Sequence, residues 1–528
     1  MENQRKSISD GQTFLGIEFG STRIKAVLID QSQKVLASGE FEWENQFVDQ
    51  FWTYSLEDIW SGLATCYENL RENVWSNYQV KLKKIGAIGI SAMMHGYLAF
   101  DQQQQLLVPF RTWRNTNTTQ AAKELSELFD FNIPERWSIA HLYKAHLNQE
   151  NHLKKLFSIN TLAGYVHREL TGRNVLGIGD ASGMFPVDSH TKNYRQDLLN
   201  ILQKKMDSFA YPFKVDDLLP EILSAGQMAG SLSEHGAKLL DTSGQLVAGI
   251  PLCPPEGDVG TGMVATNSIA VHTGNVSVGT SIFAMVVLES QLKHRYPEID
   301  LVKTPVGEEV AMVHANNGTS EINAWLKLFQ ENLQLFGTKV STEELYRKLF
   351  ELALTGEKSA GNLLSYGYFS GESITKIPVG RSLFIRQEKS EFTLANFMRA
   401  QLFSTFATLK IGMDLLTKVE KVPLEKIYGH GGIFQTPKVG QKFLAAAINA
   451  PITVRSTANL GGAYGMALLA AFTKEKGLSL EQFLKKNVFD DEDEVTLDPD
   501  LMDVVGFQEY MDKFKKGLAI EQTAADFF

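Results

Sequence analysis

The sequence predicts an α/β fold built twice over, with helices covering the faces of its sheets. Two observations carry this. Hairpin patterns of the same make, each tipped by glycine and hydroxyl residues, open the two halves of the chain: "TFLGIEFGSTRIKAVLID" (13–30) and "SIAVHTGNVSVGTSIFAMVVL" (268–288). Around them, short apolar runs alternate with helical patterns, the order that lays helices against a sheet.

Taken in order, 13–30 is an apolar strand running into "GST", then a second strand alternating through Ile24, Ala26 and Leu28. Residues 60–77 read as a helix. "IGAIGISAMMHGYLAFD" (85–101) reads as a buried strand, a break at His95–Gly96 and another strand. "LVAGIPLC" (246–253) reads as a further buried strand, directly before "PPEGDVGTGM". In the second half, Leu402, Phe406, Leu409, Met413 and Leu416 recur at four-then-three spacing, which gathers them on one face of a core helix. "KIYGHGGIFQTP" (426–437) is a short strand breaking into glycines ahead of another helix. "DDEDEVTLDPD" (490–500) lacks the spacing and glycine of a calcium loop and reads as a solvated loop. The boundary between the halves is expected near 258–268, with a cleft between them.

Composition excludes several roles. At 528 residues the chain has room for two large domains, and 44% apolar with 10% aromatic residues suits a well-buried core. A net charge of -10 argues against a general nucleic-acid binder, which needs a basic surface. Cys66 and Cys253 are too few for a disulfide framework or a thiolate metal cluster, and fit a reducing, cytoplasmic setting. "MENQRKSISDGQ" has no apolar core of a signal peptide, and the longest apolar stretch, 460–472, is too short and glycine-rich to span a bilayer.

Four stretches could carry chemistry. In the first tip, Gly20, Ser21 and Thr22 can aim successive backbone N–H groups at a phosphate, although an ordinary tight turn has the same composition. Gly279, Thr280 and Ser281 repeat that chemistry in the second tip, and the pair suits a clamp on a polyphosphate. No GxxxxGK[ST] occurs, and "GIGDASG" (177–183) misses the dinucleotide spacing by one residue. In "YGHGGIFQTP" the paired glycines Gly431 and Gly432 would let a flat adenine approach the backbone, with Gln435 nearby; a helix-start loop is the alternative. In "SAMMHG", His95 stands at a strand end beside glycine, where binding groups gather in open α/β sheets, though a lone histidine in apolar surroundings is usually structural. "RTWRNTN" follows, with Trp113 and Asn115 as a ring and an amide suited to a polyol. His141, His146 and His152 have no metal-ligand spacing. Asp258, set among glycines, is either a turn former or a general base with unobstructed reach. Glu18 on the first strand would face the same cleft and could hold Mg²⁺ through water.

These motifs resemble, in order and over nearly the whole chain, the FGGY family of carbohydrate kinases within the actin-like ATPase superfamily. "GIEFGSTRIKAVLID" and "VSVGTS" look like its two phosphate motifs, "GHGGIFQTP" its adenosine motif, "GGAYGMALLA" (461–470) its closing glycine helix, and "GDVGTGM" the segment of its catalytic aspartate. "MHG" looks like its sugar-contacting turn. The resemblance implies two ribonuclease-H-like (actin-like ATPase) domains with a cleft between them: 13–262 for sugar and catalytic base, 263–480 for ATP, and 481–528 as a C-terminal extension. It implies ATP and Mg²⁺ as cofactors. Asp258 would be the base; Met94, His95, Trp113, Asn115 and Asp258 would line the sugar site; Glu18 and Asp258 would attend the metal. The expected reaction is phosphorylation of a ketopentose at its terminal C5 hydroxyl, with L-ribulose the leading acceptor and D-xylulose the alternative. The expected partners are sugar and ATP, with neither nucleic acid nor membrane, and a homodimer is left open. A non-catalytic sugar sensor or chaperone-like protein is the alternative of another class, but neither role calls for Asp258 or "MHG". Two departures stand out: Glu18 replaces the family's usual Asp, and "WRN" places Asn115 where an acid is usual.

Overall fold

A computed structural model describes residues 1–455, 461–490 and 494–527. The chain forms two compact units that interleave in sequence. The first takes Met1–Ile269, Leu301–Val310 and residues 461–490; the second takes Ala270–Asp300 and residues 311–455 and 494–527.

The first unit is built on a seven-stranded sheet. Strands β1 (Thr13–Phe19) and β2 (Arg23–Asp30) form the expected antiparallel hairpin, and β3 (Val35–Glu42) continues it antiparallel to β2. On its other side β1 runs parallel to β4 (Ala87–Ala92), whose six residues are all buried. A strand buried on both faces belongs at the centre of a helix-covered sheet. Past β4 lie β5 (Gly230–Ser231) and β6 (Pro251–Leu252), while β7 (Glu256–Gly257) pairs parallel with β4 as well. Helix Leu56–Tyr78 is capped by Ser55, whose hydroxyl accepts from the Asp58 N–H at 3.0 Å.

Helix Gly461–Phe472 is apolar all round and buried along its length after its first residue, as a core helix must be. Glycines let it sit unusually close to its neighbours. A Cβ on Gly16 of β1 would fall 2.1 Å from the Ala463 carbonyl oxygen, and one on Gly465 would fall 1.9 Å from that of Thr261 in helix Asp258–Ala265.

The second unit's sheet uses β8 (Thr273–Val278), β9 (Ile282–Val287), the 311–315 part of β11 (Glu309–Ala315), β12 (Lys426–Gly431), β13 (Ile452–Arg455) and β14 (Glu494–Leu497), in the order β11-β9-β8-β12-β13-β14, while β10 (Asp300–Lys303) falls almost wholly in the Leu301–Val310 segment of the first unit. The β8–β9 hairpin is antiparallel, and β8, β12 and β13 run parallel. Helix Leu394–Asp414 carries the expected stripe, with Leu402, Phe406, Leu409 and Met413 fully buried.

Two readings are corrected. The "LVAGIPLC" run is strand only at Pro251–Leu252, because Gly249 takes a left-handed φ of 85° and breaks the extended chain. The acidic 490–500 stretch is not all loop. Glu494–Leu497 is an edge strand antiparallel to β13, and Glu494 forms ion pairs with Arg455 at 2.9 Å and with Lys426. A charged edge strand lacks the apolar signal that marks an interior one. Residues 491–493 lie outside the described residues. No described helix is long and apolar enough to cross a membrane.

Candidate functional site

In the first unit, Asp258 is not a glycine hinge. It is the first residue of an eight-residue helix, preceded by Gly257. Its Oδ1 accepts from the backbone N–H of Met94 at 3.1 Å. Burial holds the Asp258 carboxyl above its usual range, opposed by the Met94 and helix-start N–H groups and by the charge of Arg136.

The Met94–Gly96 turn lies against this carboxylate. His95 and Gly96 both take left-handed backbone, at φ 70° and 90°. The His95 ring is buried, stacks on Trp137 with centroids 6.1 Å apart, and places Nδ1 3.1 Å from the Gly183 carbonyl oxygen. Space is tight: a Cβ on Gly257 would meet Met94 Cγ at 2.1 Å, and one on Gly183 would meet Met94 Cε at 2.6 Å.

Glu18, the last residue but one of β1, lies beside the start of helix Gly461–Phe472, where its Oε2 accepts from the Ala463 N–H at 3.1 Å. Burial pushes its carboxyl up to about 7, and repulsion from Asp258 adds to the shift. The negative charge of Asp258 acting on Glu18 marks a place where a cation would relieve the repulsion. Mg²⁺ is satisfied by one or two carboxylates with water and phosphate oxygens completing its shell, so the pair fits it. Among the described residues, no group of three or more His, Cys, Asp or Glu side chains is placed to hold a metal ion.

Two further acids in this cluster escaped the sequence reading. Asp180 is fully buried, and its Oδ2 accepts from the Thr161 hydroxyl at 2.6 Å. Burial pushes it up to about 7, with the charge of Asp258 adding to the effect. Glu256 is pushed to about 8 by burial and by Asp180, and accepts from the Gly179 and Asp180 N–H groups at 3.3 and 3.0 Å. The signal was present in "GIGDASG": Gly177 and Gly179 leave room for the Glu256 carboxylate, which a Cβ on either would meet within 2.4 Å.

The "WRN" segment does something other than expected. Trp113 donates its Nε1–H to Ser21 Oγ at 3.2 Å, so its polar edge braces the first tip. Asn115 is corrected as a polyol ligand. It is buried, its Oδ1 accepts from the Trp52 N–H at 2.8 Å, and its Nδ2 donates to the carbonyls of Trp52 and Thr112 at 2.8 and 3.0 Å. That leaves the amide no N–H for a ligand.

Both tips have the same construction. At the first, the carbonyls of Gly20 and Ser21 accept from Trp43 Nε1 at 2.8 Å and from the Tyr54 hydroxyl at 2.5 Å. A trans peptide points its N–H opposite its carbonyl, so the N–H groups of Ser21 and Thr22 face away from those rings. In the second unit, the Gly279 and Thr280 carbonyls accept from the Thr319 and Gly318 N–H groups at 2.9 and 2.7 Å, which turns out the N–H groups of Thr280 and Ser281. Gly318, also unforeseen, must be glycine because a Cβ there would lie 2.3 Å from the Gly279 oxygen. Oriented runs of N–H groups are anion cradles. Beside this tip, Val278 pairs with Gly431 across β8 and β12. Gly431 takes φ 111° with its Cβ direction blocked by Val278, whereas nothing lies within 4 Å of the Cβ direction of Gly432. Gly432 and Gln435 are exposed. Gly279–Ser281, Gly431, Gly432 and Gln435 therefore sit in one part of the second unit.

Comparison with known proteins shows the family and the fold. Residues 13–264 match the N-terminal domain, and 274–473 the C-terminal domain, of the FGGY family of carbohydrate kinases. The xylulose kinase of Haemophilus influenzae is 23% identical, covering 76% of this chain and 79% of that protein, and that of Staphylococcus xylosus is 21% identical, covering 87% and 91%. Among solved structures, a ligand-bound xylulose kinase from Lactobacillus acidophilus superposes with a TM-score of 0.80 at 16% identity, over 98% of this chain and 100% of that one. A gluconate kinase from the same organism gives 0.78 at 17%, over 98% and 99%. At these identities the structural likenesses establish the fold, that of the two-domain sugar kinases of actin-like ATPase type.

Proposed function

Because the chain belongs to the FGGY family of carbohydrate kinases, we propose that it transfers the γ-phosphoryl group of ATP to the terminal C5 hydroxyl of a ketopentose, with L-ribulose as the acceptor. The observation that carries the reading is the Met94–Asp258 hydrogen bond, which joins the sugar-turn motif to the one acid standing in the catalytic segment.

Asp258 takes the proton of the attacking hydroxyl. Its raised carboxyl is a stronger base than an ordinary aspartate, as a base working near neutral pH needs. The Met94 N–H keeps one oxygen occupied and so orients the other. Met94 and His95 form the wall against which the sugar rests. Glu18 and Asp258 would hold Mg²⁺, which supplies positive charge to phosphate oxygens. The Gly20–Thr22 and Gly279–Ser281 tips bind phosphates through backbone N–H groups, and Gly431, Gly432 and Gln435 seat the adenosine. The two buried cysteines suit a cytoplasmic enzyme.

D-xylulose is the second reading, favoured by the names of the relatives. Steady-state rates of sugar-dependent ADP release with L-ribulose, D-ribulose and D-xylulose test the proposal. A kcat/KM highest for L-ribulose supports it, one highest for D-xylulose transfers it to the second reading, and no stimulation by any ketose overturns both.

A further inference from the structure

We propose that Arg114 is a phosphate-contacting residue, its guanidinium delivering positive charge to the phosphoryl group bound at the Gly20–Thr22 tip. This rests on the proposed function, in which the tip takes nucleotide phosphate. The residue belongs to "WRN", whose other two members the structure commits to bracing.

The guanidinium carbon of Arg114 lies 3.6 Å from the centroid of the Trp52 ring. Trp52 cannot drift from it, because both its backbone N–H and its carbonyl are bonded to the side chain of Asn115, the next residue after Arg114. The Phe47 ring, 5.0 Å away, packs on Trp52 as well. The residue before Arg114 is tied to the tip, since Trp113 Nε1 donates to Ser21 Oγ at 3.2 Å. Tyr54, two residues beyond Trp52, is tied to it too, donating to the Ser21 carbonyl at 2.5 Å. The charge of Arg114 reaches Tyr54, where it partly offsets the upward push of burial on that phenol. Arg114 is thus bracketed by groups anchored on Ser21.

Arg114 is exposed, and no carboxylate among the described residues pairs with it. A guanidinium that stacks by its face keeps its N–H donors along its edge, in the fork that matches two phosphate oxygens. Its contribution is electrostatic. In phosphoryl transfer, charge spreads over the equatorial oxygens of the group in transit, and a preplaced cation stabilises that state. Asn115 and Trp113 then have a structural purpose: they hold the stack beside the tip.

The test uses the full-length chain and its R114A and R114K variants, with initial rates of ketose-dependent ADP release at varied Mg-ATP and varied sugar. R114A is expected to lose about 10²-fold or more in kcat with its sugar KM little changed, because one preorganised donor is worth that much. R114K should recover a part only, since an ammonium neither stacks nor forks. Added guanidinium should raise the R114A rate and leave the wild type unmoved, with the thermal midpoints of all three proteins alike. The proposal is overturned if R114A keeps kcat and the ATP KM within about threefold of wild type, if its loss lies in the sugar KM, or if the loss follows a fall in thermal midpoint and guanidinium does not relieve it. A wild type inactive with every ketose overturns the proposed function and this inference together, whereas an active wild type with an unaffected R114A overturns this inference alone.

Discussion

The backbone N–H of Met94 donates to Oδ1 of Asp258 at 3.1 Å, across 164 residues of sequence. The bond fixes one carboxylate oxygen and sets the acid at the edge of a turn whose next two residues take left-handed backbone. It also makes a clean substitution available. In Asp258→Asn the amide oxygen can still accept from Met94 while the proton acceptor is gone. We expect kcat to fall by about 10²- to 10⁴-fold with sugar binding retained. Calorimetric titration of the sugar beside the coupled rate assay checks this, and turnover near wild type would remove Asp258 from its role.

The close approach of the Gly461–Phe472 and Asp258–Ala265 helices should be sensitive to a single methyl group. A Cβ at Gly465 would stand 1.9 Å from the Thr261 carbonyl oxygen, so Gly465→Ala must move one helix off the other. Overpacking of this kind costs about 1–3 kcal/mol or more. It would also shift Asp258 and Glu18, and activity should drop with stability. Gly262 lies in the same helix as Thr261, with nothing within 4 Å of its Cβ direction. Gly262→Ala should be neutral or stabilising by up to about 1 kcal/mol. Urea denaturation midpoints of the two variants decide the point.

Asn115→Ala separates bracing from sugar binding. Removing the amide leaves the Trp52 backbone N–H without its partner, while the Trp52 carbonyl keeps the Thr112 N–H and hydroxyl, and a loss of about 1–3 kcal/mol follows from the stranded N–H. Sugar affinity, measured by titration, should be unchanged. A weakened sugar affinity at full stability would restore Asn115 as a ligand.

A pH effect should arise in the second unit. Glu372 is buried, and its Oε2 accepts from the Asn316 N–H at 2.9 Å, the Asn317 N–H at 3.3 Å and the Asn317 side-chain amide at 3.2 Å. Burial nonetheless pushes its carboxyl from 4.5 to about 7. The folded state therefore holds this proton more tightly than the unfolded chain does. The stability Glu372 confers is full below the ordinary value and is lost as pH rises through about 7. Glu372→Gln keeps an oxygen acceptor and does not titrate. Between pH 4.5 and 8 the variant should gain on the wild type by up to about 3 kcal/mol, since each tenfold difference in proton affinity between folded and unfolded chain is worth roughly 1.4 kcal/mol. Unfolding free energies of both proteins at the two pH values measure the difference, and parallel curves would refute it.

Much of this was legible beforehand, for reasons tied to particular residues. The hairpin tips announce themselves through glycine and hydroxyl residues between alternating strands, and helix Leu394–Asp414 through Leu402, Phe406, Leu409 and Met413. These signals are local. What stayed hidden was set by partners distant in sequence. Gly318 is glycine because of Gly279, Gly465 because of Thr261, and Gly179 because of Glu256. No periodicity reports such a demand. Asn115 looked like a ligand because its composition suits one, and only the position of Trp52 shows that its hydrogen bonds are already committed. Asp258 sat among glycines that suggested a hinge, yet Gly260 and Gly262 are helical.

The helix that fills the groove over Gly16 comes from the far end of the chain: Ala463 bonds Glu18 across 445 residues. On the ribosome, at about 5–20 residues per second, the first strands wait roughly 20 to 90 seconds for that helix to emerge. Throughout that interval the nascent protein displays a bare apolar sheet face, which makes it a client for holding chaperones. A ribosome stalled after residue 269 would release a fragment lacking this covering helix and prone to precipitate.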